Sequence, residues 1–174
     1  MQLITLPMGG ITGGTQPVLS FNYGAKNIAR IKRAYVFIFG LCVSFTLVMF
    51  LISQLASGGF VGIFTQNPQV TELSVWGIRV FTLGIIPLAF QYEVVDGFTA
   101  LGVPRLAITL SLTRKSLFFI LTLALPAFLG AAGAFYAEPA ADIFCGVLST
   151  LVYALVINRL LREREIAPEE TIKI

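Results

Sequence analysis

Long apolar runs that carry little or no charge are the feature that most restricts the folds open to this chain. An α-helix crosses the hydrocarbon core of a bilayer with about 20 consecutive, predominantly apolar residues. Five segments reach that length, and the second contains no charged residue at all. The predicted spans are residues 2–23, 34–56, 73–101, 106–129 and 139–158. The sequence therefore predicts an all-α, polytopic transmembrane helix bundle.

The amino-acid composition agrees with a membrane protein. Apolar residues make up 56% of the 174 positions and charged residues only 12%, whereas about a quarter of the residues in a soluble domain are charged. Lys and Arg outnumber Asp and Glu by 12 to 9, but the basic residues lie in short clusters between apolar runs, as in membrane loops. We therefore expect membrane lipid, and no nucleic acid, as a partner.

The inventory of reactive side chains argues against an enzyme. The chain contains no His, which excludes His-based triads, His proton relays and most zinc sites. Its two cysteines, Cys42 and Cys145, lie inside apolar runs, where a thiol packs as a small hydrophobe. The sequence shows no cluster that combines a nucleophile with a base, and no cluster of metal ligands. We therefore expect no catalytic residue, no metal and no cofactor.

Basic residues in the loops predict the orientation, because cytoplasmic loops carry the excess of Lys and Arg. Basic residues follow the first and fifth predicted spans, and Arg105 separates the third from the fourth. The alternate loops, 57–72 and 130–138, contain no Lys or Arg. We expect an N-terminus outside and a C-terminus in the cytoplasm, where residues 163–174 would form a short tail.

Ionisable residues inside the predicted spans are the candidates for a functional site. A charge at the bilayer centre costs roughly 2.5 to 3.5 kcal/mol on insertion scales unless it is paired or hydrated. Glu93 and Asp96 are three residues apart and share a helix face. Asp96 and Arg114 each lie nine residues from Arg105, so antiparallel neighbouring helices would place them at similar depth.

Two interpretations of this group stay open. In the first, Arg114 forms a structural ion pair with one of the two acids, while the neighbouring Lys115 reaches towards the surface. In the second, Glu93 and Asp96 bind a cation or substrate, and Tyr92 contacts an organic cation through its ring. Glu93 is the deeper acid and the better candidate for coupling.

Other residues of the spans suggest helix packing. Gly9, Gly10, Gly13 and Gly14 recur at spacings of three and four, which places small residues on one face where another helix or a bulky ligand can approach. We expect Gly24 to end this helix as a left-handed cap. Gln16 lies in the same span, where it either bridges helices or faces a cavity. Near the outer end of the last span, interfacial placement explains Glu138 and Asp142 without a function.

Residues 16–27, QPVLSFNYGAKN, are followed by Arg30 and Lys32. This segment resembles the signature that ends the second helix of the C-terminal lobe in the multidrug and toxic compound extrusion (MATE) family. Residues 63–65 before Pro68, the segment GFTALGVPR at 97–105 and the Pro-Ala-Ala-Asp run at 139–142 follow in the family's order. The resemblance extends over residues 7–162 and is greatest to the bacterial branch of MepA-like exporters.

This resemblance implies a fold and a function. Family members have twelve helices in two six-helix lobes, so residues 1–162 would form a C-terminal MATE-like lobe comprising helices eight to twelve. The N-terminal lobe and the seventh helix would be the missing partners. The implied activity is efflux of cationic drugs or organic cations across a bacterial inner membrane, by antiport with sodium or protons. The family pattern also places an acid at the position of Asp142, which makes Asp142 a further candidate for cation or substrate binding.

Two alternatives remain beside this interpretation. A flippase for lipid-linked saccharides, of related architecture, would need a row of basic cavity residues for a pyrophosphate, and the spans offer only Arg114 and Lys115. A non-transporting fragment would have no activity of its own. An upstream reading frame that encodes seven further helices would distinguish a transporter from a fragment.

Overall fold

The computed structural model describes residues 1–166, so residues 167–174 of the expected tail lie outside it. The described chain is an all-α bundle, as the sequence predicts, and its long helices are joined by short turns. The helices are α1 Gln2–Gly24, α2 Ile28–Leu55, α3 Ser57–Gly62, α4 Pro68–Phe81, α5 Ile85–Ala100, α6 Pro104–Leu129 and α7 Gly133–Ile166.

Helix α1 continues through Pro7 and Pro17. Proline removes a backbone hydrogen bond, but membrane helices tolerate it where neighbouring helices and side chains satisfy the freed backbone groups. Here α1 packs against α2 and α5 and buries Ile4, Met8 and Leu19. Tertiary packing therefore maintains a helix that its own sequence supports weakly.

The turn between α1 and α2 differs from the prediction for Gly24. Gly24 is the last residue of α1, and the left-handed conformation belongs to Lys26, with φ of 55°. Asn27 then caps α2, because its side-chain oxygen accepts a hydrogen bond from the Arg30 backbone N–H at 3.1 Å. The prediction that Gly24 takes the left-handed position was thus wrong, because Lys26, two residues later, takes it.

Helix α5 is the centre of the bundle and contacts α1, α2, α6 and α7. It is apolar on most sides, as is typical of a helix surrounded by others, and buries Leu88, Ala89, Val94 and Phe98. A short 3-10 turn at Thr82–Gly84 separates it from α4. The segment predicted as one span at 73–101 thus belongs to one long apolar stretch, Pro68–Ala100, which this 3-10 turn interrupts.

Three stretches are long and apolar enough to cross a membrane: Ile28–Leu55, Pro68–Ala100 and Pro104–Ile166. The last comprises α6 and α7, between which Gly130 has a φ of 64°. Large apolar side chains such as Phe37, Phe128 and Leu155 are exposed on the outside of the bundle, where only lipid would shield them from water. The chain is a multi-pass membrane protein.

The last helix extends beyond the predicted span, so residues 163–166 continue α7.

Candidate functional site

Polar side chains converge on one side of the bundle, between α1, α5, α6 and α7. A cavity of about 230 Å³ there is lined by Gln91, Tyr92, Val95, Asp96, Ser111, Arg114 and Lys115. A second cavity of about 580 Å³ is lined by Met1, Gln2, Thr5, Leu6, Gly9, Tyr92, Arg114 and Glu138. Because the two share Tyr92 and Arg114, we treat them together as the polar cavity.

Asp96 connects α5 to α1 at the wall of this cavity. Its Oδ1 accepts a hydrogen bond from Gln16 Nε2 at 3.0 Å, and its Oδ2 accepts one from Thr12 Oγ1. Thr12 and Gln16 are four residues apart, so they lie one above the other on the same face of α1. Two donors thus hold an acid in a fixed position where it lines the cavity. Gln16 bridges two helices, which is one of the two roles expected for it.

Arg114 forms its ion pair with α7. Its Nη1 donates a hydrogen bond to Asp142 Oδ1 at 3.0 Å and lies 3.9 Å from Glu138 Oε1. The expectation that Arg114 pairs with Glu93 or Asp96 is therefore wrong. The physical reason is packing: α6 lies along α7, so the guanidinium reaches acids of that helix, while Asp96 turns towards α1.

The Arg114 guanidinium also lies above an aromatic ring. Its Cζ is 6.0 Å from the centre of the Tyr92 ring, at the limit of a cation–π contact. Tyr92 lines both halves of the polar cavity, and a Cβ at Gly9 would lie 3.8 Å from its Cε1. Tyr92 therefore presents an aromatic surface between α1 and α6, next to Asp96.

Asp142 is located inside the bundle. Its side chain is 0% exposed, and its Oδ2 has no hydrogen-bond partner among the described residues. Asp142 is therefore packed between helices rather than exposed on the surface of the bundle. A buried carboxylate requires a compensating partner, and Arg114 supplies the partner for its other oxygen.

Glu93 does not line the polar cavity, although it lies three residues from Asp96 on α5 and interacts with it electrostatically. Its neighbours on α5 at spacings of three and four are Phe90, whose ring is 4.5 Å from that of Phe39, and Gly97, which Tyr35 covers. Both contacts are with α2, so Glu93 faces α2. It is 2% exposed. Within the described part of the chain, its Oε1 has no hydrogen-bond partner.

The surroundings of Glu93 are phenolic rather than basic. Tyr35 of α2 and Tyr153 of α7 both interact electrostatically with Glu93, and their ring centres are 5.2 Å apart. The Tyr35 hydroxyl is also buried without a partner in residues 1–166. Asp96 thus faces the polar cavity, whereas Glu93, which interacts electrostatically with Asp96, is enclosed between α2, α5 and α7.

The glycine face of α1 is largely uncovered. Gly10, Gly13 and Gly14 have no atom of the described chain within 4 Å of a Cβ added to them, and only Gly9 contacts a neighbour, Tyr92. The close helix packing expected for this face is therefore not made by residues 1–166.

Two further residues of the site were not predicted. Thr12 was not singled out, although its spacing of four from Gln16 was a signal that both could reach one acceptor. Ser111 lines the polar cavity and lies four residues before Lys115, on the same face of α6. The sequence alone offered no reason to distinguish it from the other hydroxyl residues of α6.

Comparison with known proteins identifies relatives. The MatE family model matches residues 1–122. One similar solved structure is that of the MATE multidrug transporter DinF-BH in complex with rhodamine 6G. Its sequence is 26% identical to this chain, and the two structures match with a TM-score of 0.84 over 97% of this chain. No curated protein sequence matches the chain.

More distant solved structures share the fold. The Vibrio cholerae MATE transporter VcmN in its bent form is 20% identical, with a TM-score of 0.72 over 86% of this chain and 33% of its own. An inward-facing MATE transporter of the MOP superfamily is 16% identical, with a TM-score of 0.84 over 92% of this chain and 38% of its own. This chain spans 37% of the length of DinF-BH.

Proposed function

The chain belongs to the MATE family, and on that premise we propose that it is part of a secondary active transporter that exports organic cations in exchange for sodium or protons. The polar cavity is the site we assign to this activity. Its location between helices of a membrane bundle is typical of transporter sites. The proposed location is a bacterial inner membrane, with the C-terminus in the cytoplasm.

The observation that carries this proposal is the placement of Asp96 and Tyr92 on one cavity wall. A carboxylate attracts a positive charge, and an aromatic ring interacts favourably with organic cations that are too large for a small ion site. DinF-BH, a multidrug transporter solved in complex with rhodamine 6G, is 26% identical to this chain. An aromatic cation of that kind is the substrate class we propose here.

Asp96 would couple export to an ion gradient. In one state of the transporter the carboxylate binds the organic cation, and in the other it binds a sodium ion or a proton. Each entering ion then shifts the protein towards the state that releases the substrate outside. No covalent bond is made or broken in this cycle, so we propose no enzymatic step.

The proposed transporter requires a second lobe. The face of α1 that carries Gly10, Gly13 and Gly14 is uncovered by residues 1–166. We propose that an N-terminal lobe and a seventh helix cover this side, and that rocking of the two lobes exposes the cavity alternately to each side of the membrane.

Export of ethidium from an efflux-deficient bacterium tests the proposal. The expressed protein should be the longest reading frame that contains this chain, compared with its Asp96→Asn and Glu93→Gln variants. We expect Asp96→Asn to abolish export while the protein remains in the membrane. Unchanged export would contradict the role of Asp96. Loss of export in Glu93→Gln, with export retained in Asp96→Asn, would assign the coupling role to Glu93 instead. That role of Glu93 stays a prediction.

A further inference from the structure

A groove of about 670 Å³ between α2 and α7, the α2–α7 groove, shares no residue with the polar cavity. Spacings of three and four place its α2 residues on one face of that helix. These residues are Lys32, Tyr35, Val36 and Phe39. Lys32 is exposed near the start of α2, and Val36 is exposed one turn later. This wall is therefore basic at one end and largely apolar beyond it.

The α7 wall of the groove runs antiparallel to the α2 wall. Arg164 Nε, near the end of α7, donates a hydrogen bond to the backbone carbonyl of Tyr23 at 3.2 Å. Tyr23 is close to the end of α1, and α2 begins four residues after α1 ends. The end of α7 thus lies beside the start of α2. Asn158 of α7 therefore lines the groove at the same end as Lys32.

The two ends of the α2–α7 groove differ in polarity. At one end, the Lys32 ammonium group and the Asn158 side-chain amide offer hydrogen-bond donors. At the other end, the Thr150 hydroxyl donates to the carbonyl of Gly146 in its own helix at 2.8 Å, and Phe39 presents an aromatic ring. The groove is therefore amphipathic, with free donors at the Lys32 end alone.

The charge around the Lys32 end is positive. Residues 26–33 contain four basic residues and no acid, and residues 157–166 contain three basic residues and two acids. Lys32 forms no ion pair with the described residues, 1–166. None of the residues that line the groove is acidic. An anionic group is therefore the ligand that this end attracts.

One acid lies behind the floor of the groove. Glu93 interacts electrostatically with Tyr35 and Tyr153, which line the groove with their ring centres 5.2 Å apart. Glu93 is buried and does not line the groove itself. A ligand in the groove would therefore contact the two tyrosines, and the basic residues of this end remain in excess when Glu93 is included.

The rim of the groove is continuous with the lipid-facing surface of the bundle. Val36 is 75% exposed, and Phe37 and Leu155 next to the groove are exposed to a similar extent. Thr150 and Leu161 of the α7 wall are eleven residues apart, which is about 16 Å along the helix. Half of a hydrocarbon core about 30 Å thick is similar in length. The groove therefore extends over about one leaflet of the bilayer.

We propose that the α2–α7 groove binds one anionic phospholipid of the cytoplasmic leaflet. Lys32 and Asn158 bind its phosphate, and one acyl chain lies along Val36, Phe39 and Ala154. The cytoplasmic leaflet carries anionic lipids, and basic pockets between membrane helices on that side bind their head groups. The inference uses the proposed orientation to name the leaflet and does not depend on the proposed transport activity.

Native mass spectrometry of the purified transporter that contains this chain tests the head-group contact. Phosphatidylglycerol, which is anionic, is compared with phosphatidylethanolamine, which is zwitterionic, at equal acyl-chain length. Lys32→Gln removes the proposed phosphate contact. Arg33→Gln is its matched control, because Arg33 is exposed in the same basic cluster but does not line the groove.

A second pair of variants tests the acyl-chain contact. Ala154→Phe places a ring inside the groove. Ala140→Phe is its matched control, because Ala140 is exposed on the same helix and does not line the groove. Thermal unfolding of both variants shows whether either substitution disturbs the fold.

We expect the unaltered protein to bind phosphatidylglycerol about tenfold more tightly than phosphatidylethanolamine, the difference typical of one charge-assisted hydrogen bond. Lys32→Gln should remove this preference, and Arg33→Gln should retain it. Ala154→Phe should weaken the binding of both lipids, and Ala140→Phe should leave it unchanged.

Three results would overturn the proposal. Equal losses in Lys32→Gln and Arg33→Gln would replace the site with a diffuse attraction of the basic surface. Unchanged lipid binding in Ala154→Phe would place the acyl chain outside the groove. Absence of bound lipid from the unaltered protein, together with lower thermal stability of Ala154→Phe than of Ala140→Phe, would assign the groove to a helix of the longer transporter. Ethidium export tests the proposed function separately.

Discussion

The Arg114 guanidinium lies 3.0 Å from the Asp142 carboxylate and joins α6 to α7 beside the polar cavity. Asp142 is completely buried, and Arg114 is 20% exposed on the cavity side. Asp142 is thus part of the packed interior. Arg114 contacts both that interior and the polar cavity, where a substrate would bind.

Removal of the acid from this pair should destabilise the protein. Asp142→Ala leaves Arg114 with only Glu138 at 3.9 Å, and breaking a buried pair typically costs about 3 to 5 kcal/mol. Denaturant unfolding in detergent micelles measures the loss. Arg159→Gln is the control, because the Arg159–Glu163 pair is exposed and should contribute little. Equal stability of the two variants would contradict a structural role for the Arg114–Asp142 pair.

The hydrogen bond from Thr12 should matter for export, and that from Thr15 should not. Thr12→Val removes one of the two donors to Asp96, so the carboxylate would lose its fixed position, and we expect about tenfold weaker apparent affinity for ethidium. Thr15 is on the same helix, but its hydroxyl donates to carbonyls of α1 itself. Thr15→Val is therefore the matched control in the same export assay, and similar losses in both variants would argue against positioning of Asp96 by Thr12.

Gly97→Ala should disturb the contact between α5 and α2. A Cβ at this position would collide with the Tyr35 hydroxyl and ring, and overpacking of this kind costs about 1 to 3 kcal/mol. Gly40→Ala is the control, since nothing lies within 4 Å of its Cβ position. Thermal unfolding of the two variants measures the difference. A smaller residue at position 35, as in the double variant Gly97→Ala with Tyr35→Leu, should recover part of the loss.

Bulky residues on the uncovered face of α1 should separate folding from transport. Gly13→Leu meets no atom of residues 1–166 within 4 Å of its Cβ, so we expect the helix content and unfolding of this chain to be unchanged. Export by the longer transporter should fall, because the proposed second lobe would no longer approach α1 closely. Gly40→Leu on α2 controls for a bulky side chain elsewhere. Full export by Gly13→Leu would contradict the proposed packing of the second lobe against this face.

The fold class was readable from the sequence because the bilayer imposes a simple rule on it. Segments such as Ile28–Leu55 are too long and too apolar for a soluble loop, and only helices satisfy their own backbone groups in lipid. Helix ends were less predictable: Lys26, rather than Gly24, takes the left-handed position. Local propensities at a turn differ by small energies, which the packing of the adjoining helices readily outweighs.

The composition and order of the residues by themselves determined that this is a helical membrane protein, and placed Tyr92, Glu93, Asp96 and Arg114 inside it. Only the tertiary structure decided their partners. Helical spacing gives the relative directions of Glu93 and Asp96 on α5, but not which helix lies opposite each of them. Because α2 packs on one side of α5 and α1 on another, Glu93 is enclosed and Asp96 lines the polar cavity. The pairing of Arg114 with Asp142 depends in the same way on how α6 lies against α7.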